Sequence, residues 1–475
     1  MTLFVRLALT LGLVVAGAGR AAADCTVDPG GALGLPGGYP TINAALADPA
    51  CLSAGVINVV CQPAGCTDTN VLINGLSNVT IRALEVPGVN GPAVLIGTGG
   101  NPAVVITNSS EIAIEGFSSI LGPPFAVWID ASKVNLVGPT VGGVARYLDL
   151  TSPGGTAMKV NGDSQVDVTQ VGFHASTTGL ELTAAGGLGP SVTARAVAFL
   201  DNGQAVDMVG PAGGCGPSPA TVLNVDGDGG GAWLNYVMRN VNGFRLRGRS
   251  SVQLDHTVLA SNLYTMAAPG NETLFAVRDA SRLEARNALI YDNDAHPGLT
   301  GPFAGGFNTG SVLLDHTSCD QSSFIASTVI NNAADITFGV GGSGRLVLDH
   351  TLVAGNWGKT LSMSSYYVAH GNTCPPLSLT AAAVWGNKLI ADPVACLPPP
   401  LIVGWNPNPI VSASTPRTIV GYPTVPAPWT DLYLINHLEP FVYALPVGLF
   451  LGRPWSVDAL HDDVADLDVG YHNPH

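Results

Sequence analysis

The tetrapeptide Leu-Asp-His-Thr occurs three times, starting at Leu254, Leu314 and Leu348, and sets His256, His316 and His350 each beside a carboxylate. Three imidazoles with adjacent aspartates could hold a metal or move protons, provided that the fold makes them converge. Asp226 and Asp228 begin what looks like a calcium loop but lack its later acidic ligands. Near the end of the chain, His461, Asp462, Asp463, Asp466 and Asp468 form a denser acidic group. Its oxygen-rich chemistry makes Ca²⁺ the one cofactor to consider, with a solvated cap as the plainer reading and no other cofactor expected. Eight cysteines stand at 25, 51, 61, 66, 215, 319, 374 and 396, with no Cys-x-x-Cys pair among them. Disulfides are expected rather than zinc, and proximity in the chain pairs Cys61 with Cys66 and Cys374 with Cys396. A Ser-His-Asp arrangement finds no Gly-x-Ser-x-Gly support.

Whether these groups meet depends on the elements that carry them. One module recurs: a short alternating strand, a tight turn, a second alternating strand, then often an Asn. It is read in VLINGLSNVTIRA from Val71, VVITNSSEIAIEGF from Val104, VWIDASKVNLVG from Val127 and MKVNGDSQVDVTQVGF from Met158. It returns in FRLRGRSSVQLDHTVLASN from Phe244, LFAVRDASRLEARNALIYDN from Leu274 and ITFGVGGSGRLVLDHTLVAGN from Ile336. About eleven modules start roughly 22 to 38 residues apart, the period of a repeat architecture. A single strand of this kind cannot bury its apolar face, whereas stacked copies can. The expectation is an all-β chain folded as a single right-handed parallel β-helix of about eleven rungs. A β-sandwich would pair its strands through hairpins and has no need of such a module.

Both ends of a solenoid need covering. Thr41 to Ala50 reads as a short amphipathic capping helix, with Ile42, Ala45 and Leu46 as the plug. The repeat fades near Ala395, and from Pro398 onward the chain is proline-dense and irregular. The expected organisation is therefore a leader over 1–23, the β-helix with its cap over 24–397, and an extension over 398–475. Aligned modules place His256, Asn287, Ser327 and His350 in one turn position as a polar ladder, flanked by Asp255, Arg286 and Asp349. His316 falls on a first strand instead, so the three imidazoles are not expected to converge.

Charged residues are only 11 % of the 475, apolar residues 46 %, and the formal net charge is −15. That balance excludes disorder and disfavours nucleic acid, anionic lipid and polyuronides, the last unless Ca²⁺ bridges. Arg6, the apolar run Leu7 to Ala18 and Ala21-Ala22-Ala23 read as a signal peptide cleaved after Ala23. About a dozen apolar residues are too few to span a bilayer, so no membrane span is expected. The sequons at Asn78, Asn108 and Asn271 fit an exported chain.

Over roughly residues 40 to 395, and in the final Asp-Leu-Asp-Val-Gly-Tyr-His from Asp466, the chain resembles the pectin-lyase-like superfamily of exported β-helix proteins. Three segments are similar to pectin methylesterases: YPTINAAL at Tyr39, DITFG at Asp335 and LGRPW at Leu451. That likeness implies Asp335 as nucleophile, Asp315 one rung earlier as general acid/base, and Arg453 with Trp455 as substrate-binding residues. One carboxylate would attack an ester carbonyl while the other protonates the leaving methoxide. The family's Gln-Asp-Thr-Leu is here Leu314-Asp315-His316-Thr317, so the oxyanion-binding Gln is missing. No Gly-His-Gly of the hydrolases and no Arg-x-Pro-x-x-Arg of the lyases is present.

No catalytic set is complete, whereas the solenoid signal is strong. The leading expectation is thus an exported, non-catalytic protein, secreted or at the cell surface, that engages extracellular polysaccharide. A carbohydrate esterase using Asp315 and Asp335 is the alternative, and a polysaccharide lyase or hydrolase ranks behind both.

Overall fold

The computed structural model describes residues 25–362 apart from short breaks, chiefly 228–234, 264–272 and 294–311, together with 377–380 and 383–385. The leader, the 398–475 extension, Cys374, Cys396, His350, Asp228 and Asn271 lie outside the described residues.

The described chain is a parallel β-solenoid. One sheet holds eleven strands in strict sequence order, from Val71–Asn74 to Trp357–Ser362, each parallel to the next. The other large sheet holds 23 strands and wraps two further faces of the solenoid. Those two faces join because Gln165–His174 and Ser191–Leu200 run through both. Each strand bends at one residue in the left-handed region, Gln170 (φ 57°) and Ala196 (φ 51°). His256 and Asn287, both at φ 47°, turn the same corner further along. Asn tolerates this conformation better than most residues. The one antiparallel ladder among the described residues pairs Thr140–Val141 with Val144–Ala145, which removes the sandwich alternative.

Alternation does what the sequence requires of it. Val127 and Ile129 are fully buried, as are Met158 with Val160 and Leu180 with Leu182, while the residues between them face outward. Phenylalanines stack in the core, with Phe173 on Phe199 at 4.6 Å and Phe244 on Phe275 at 5.5 Å. Inside one corner runs a column of buried amides: Asn202, Asn240, Asn262, Asn293 and Asn332. Each side-chain oxygen accepts the backbone N–H of the Asn before it, at 3.0 to 3.1 Å. Ser176 extends the column by donating its backbone N–H to Asn202. These are the Asn residues that close the modules, and they satisfy corner amides that no strand can reach.

The capping segment is two helices, not one. Thr41 caps Ile42–Leu46, and Asp48 caps Pro49–Ala54, which Pro49 opens. Proline fits a helix's first turn but not its interior, so the chain restarts there. Ile42, Ala45 and Leu46 are buried against the first rungs as the plug. Cys25 is bonded to Cys51, Cys61 to Cys66, and Cys215 to Cys319. The first and third join residues that the chain keeps far apart and stacking brings together. Three disulfides fit an oxidising compartment. No helix among the described residues is long and apolar enough to cross a membrane.

The expected turn ladder is off by one. Leu289 pairs with Thr328, so Ser327 follows Ala288 rather than Asn287, and its hydroxyl accepts the Ala288 N–H at 3.2 Å. Ile325 stands between Arg286 and Asp349, and Arg286 instead pairs with Glu284 at 2.5 Å. Asp255, Arg286 and Asp349 thus share one register column as expected, but Ile325 interrupts its charges.

Candidate outward binding column

In the eleven-strand sheet the register lines up one outward position per rung. The column runs Leu72, Val105, Trp128, Lys159, Glu181, Asp207, Arg245, Ala276, Asp315, Gly339. Ala276, Asp315 and Gly339 at its far end are buried, so the accessible part runs from Leu72 to Arg245, about 30 Å at the usual spacing between strands. One end is apolar. Leu72 is 57 % exposed, and the half-exposed Trp128 ring lies 6.2 Å from that of Phe125. The Trp128 Nε1 is shielded from solvent without an acceptor among the described residues.

The column then turns ionic. Lys159 Nζ is 2.7 Å from Glu181 Oε1 and 5.3 Å from the centre of the Phe125 ring. Thr156 donates to the other Glu181 oxygen at 3.2 Å. Asp207 receives Arg245 in a two-pronged pair, with Nε at 2.8 Å, and Arg247 at 3.2 Å. The Asp207 carboxylate raises the Arg245 guanidinium above its ordinary value, against the opposing effect of burial. Such forks fix planar side chains in one geometry. The surface is thus pre-ordered, with the carboxylates of Glu181 and Asp207 adjacent and flanked by Lys159 and Arg245.

Asp315 belongs to this column, nearly buried and 3.2 Å from Arg278 Nη2. Asp335 lies on the next strand, Ala333–Val340, but four positions before Gly339, the register partner of Asp315. Four residues of strand amount to about 13 Å. The register does not set the two residues side by side. Leu314, where the esterase likeness expects Gln, is fully buried. Arg453, Trp455 and the acidic group from His461 to Asp468 lie outside the described residues.

The two described Leu-Asp-His-Thr histidines, His256 and His316, do not converge either. His256 sits at a corner, 3.0 Å from Asp255 Oδ1, with its Nε2 3.2 Å from Asn287 Nδ2. His316 is fully buried on a strand of the other sheet, and burial pushes its imidazole down to about 4. Thr257 and Thr351, the last residues of two copies, hydrogen-bond the carbonyls of Asp255 and Asp349. In those two copies the motif builds a corner, whereas the copy from Leu314 lies on a strand of the eleven-strand sheet. Among the described residues no group of His, Cys, Asp and Glu is arranged to hold a metal.

A groove of about 600 Å³ opens on another face, lined by Glu111, Lys133, Asn135, Asp167 and Arg195. Its walls carry no aromatic ring, and the exposed Lys133–Glu111 pair spans it at 2.6 Å. Sequence reading passed over the outward column even though the stacked modules display it. Leu72, Val105, Trp128, Lys159 and Arg245 are each the second residue of an aligned segment. No protein-family model, curated protein or solved structure matches the chain.

Proposed function

We propose that the chain is an exported right-handed parallel β-helix of about eleven rungs that binds an extended extracellular polysaccharide without chemically altering it. The observation that carries this reading is the outward column. It is straight, repeats at one residue per rung, and joins an aromatic end to a line of fixed ion pairs. Linear glycans present apolar ring faces and rows of hydroxyls, which aromatic rings and pre-ordered charged groups match respectively. A net charge of −15 favours a neutral or amine-bearing polymer over a polyuronide. The esterase alternative would need Asp335 within reach of a carbonyl held at Asp315, and the register offset of about 13 Å stands against it.

Calorimetric titration of the mature protein with neutral oligosaccharides of increasing length tests the proposal. Affinity is expected to rise with length until the column is filled, and Trp128→Ala is expected to weaken it about tenfold, that is by about 1.4 kcal/mol. Affinity independent of length, or unchanged in Trp128→Ala, overturns the column as the site. Release of product from a methylated substrate overturns the non-catalytic reading.

A further inference from the structure

The groove of about 600 Å³ lies on the 23-strand sheet, and its floor is a single register column. Thr80, Ala113, Asn135 and Asp167 stand there on successive rungs, each paired with the next. Three strand spacings make that floor about 14 Å long. Ala113, with only a methyl group, leaves a hollow between Thr80 and Asn135. The neighbouring outward column, Val137, Thr169 and Arg195, forms one wall. Sites for small ligands commonly enclose about 300–1,000 Å³, so the groove has the size of one.

The polar groups around the floor decide what can enter. Lys133 Nζ is 2.6 Å from Glu111 Oε1, and Arg195 Nε is 3.4 Å from Asp226 Oδ2. Among the described residues, the exposed Asp167 carboxylate and the half-buried Asn135 side-chain amide have no hydrogen-bond or ion-pair partner. An anion in the groove would meet Asp167, and a cation would meet Lys133 and Arg195. A neutral ligand meets neither repulsion. One carboxylate can accept two hydroxyls at once in charge-assisted hydrogen bonds, and an amide both donates and accepts. The register sets Asn135 beside Asp167, about 4.8 Å away at the usual strand spacing. Adjacent hydroxyls on a sugar ring supply the donor pair that such an arrangement lacks.

We propose that this groove binds a short neutral saccharide, with Asp167 accepting a vicinal pair of hydroxyls and Asn135 hydrogen-bonding the next polar group along the floor. Selection is by charge as well as by hydroxyls, so uronic acids and amino sugars are both disfavoured. The groove lies on a different sheet from the outward column, so the site stands whether or not that column binds glycan.

The test is ligand-observed NMR titration of the mature protein with cellobiose, mannobiose and galactobiose, which together offer trans and cis vicinal hydroxyls. Their per-O-methylated forms keep the rings and lose every donor. At least one of the three should bind about tenfold tighter than its methylated form, and about tenfold tighter than digalacturonate or the glucosamine dimer. Asp167→Asn should weaken that binding about tenfold, and Ala113→Gln, which fills the hollow, should abolish it. Failure of all three disaccharides to bind overturns the proposal, as does a preference for either charged dimer. Affinity unchanged by Asp167→Asn, or undiminished in a folded Ala113→Gln, overturns it too. Trp128→Ala separates the two sites: a disaccharide lost in that variant and kept in Asp167→Asn is held by the column, which counts against the groove. Asp167→Asn preserves the side chain's shape, so the test stands should Ala113→Gln disturb the sheet.

Discussion

Replacing Asn262 by alanine probes the buried amide column at its centre. Asn262 is fully buried and its side chain makes four hydrogen bonds. Its oxygen accepts from the backbone N–H and the Nδ2 of Asn240, both at 3.0 Å. Its amide donates to Val237 O and to Asn293 Oδ1, both at 2.8 Å. After truncation Asn240 Nδ2 keeps the carbonyls of Phe199 and Met238, and Asn293 Oδ1 keeps the Asn262 backbone N–H. The Asn240 backbone N–H keeps nothing. A stranded buried donor costs about 1–3 kcal/mol, and the remaining lost bonds add about 1 kcal/mol or less each. The expected destabilisation is about 3–4 kcal/mol. Denaturant unfolding of the mature protein measures it, and faster native-state hydrogen exchange at the Asn240 amide locates it. Asn135→Ala, on the outer surface, is the control and should stay within about 0.5 kcal/mol. A loss that small in Asn262→Ala, or unchanged exchange at Asn240, would refute the idea that the column holds the corner together.

Other consequences are simpler to state. The folded-state value of His316 falls from 6.5 to about 4, so between those pH values only the unfolded chain takes up its proton. Its contribution to stability is constant above about pH 6.5 and is lost as the pH falls toward 4, by about 3 kcal/mol, which unfolding at a series of pH values should show. His316→Leu should flatten that part of the profile. Phe199→Ala removes a fully buried ring stacked on Phe173 and should cost about 3–5 kcal/mol in denaturant unfolding.

The architecture was legible because alternation and repetition are local properties. Val127, Ile129, Met158 and Val160 declare an inward face in their own segments, and stacking is the only way to cover many such faces. The plug residues Ile42, Ala45 and Leu46 were legible for the same reason, whereas the restart at Pro49 interrupts what the apolar spacing alone presents as one helix. What escaped depends on register. Turns of unequal length let the rungs slide relative to a sequence alignment, and one residue of slide put Ser327 in the wrong column. Proximity in the chain found Cys61–Cys66 but could not find Cys25–Cys51 or Cys215–Cys319. The Leu-Asp-His-Thr copies show the converse: the string has a catalytic look, yet the copy at Leu254 turns a corner while the copy at Leu314 lies on a strand of the other sheet.

The bond between Cys215 and Cys319 gives the molecule a mechanical character. A parallel solenoid pulled from one end should peel one rung at a time, because each rung is held mainly by its neighbours. This bond joins the loop after strand Gln204–Val209 to the segment after Val312–His316, three strands further along the same sheet. Peeling from the C-terminal side would stop at Cys319, since the segment between the two cysteines, 104 positions apart in sequence, cannot be drawn out while the bond stands. The extended length would be shortened by that hidden segment until a reductant released it. A fibre or coat anchored through such a chain would yield in two stages, with redox conditions deciding whether the second is reached.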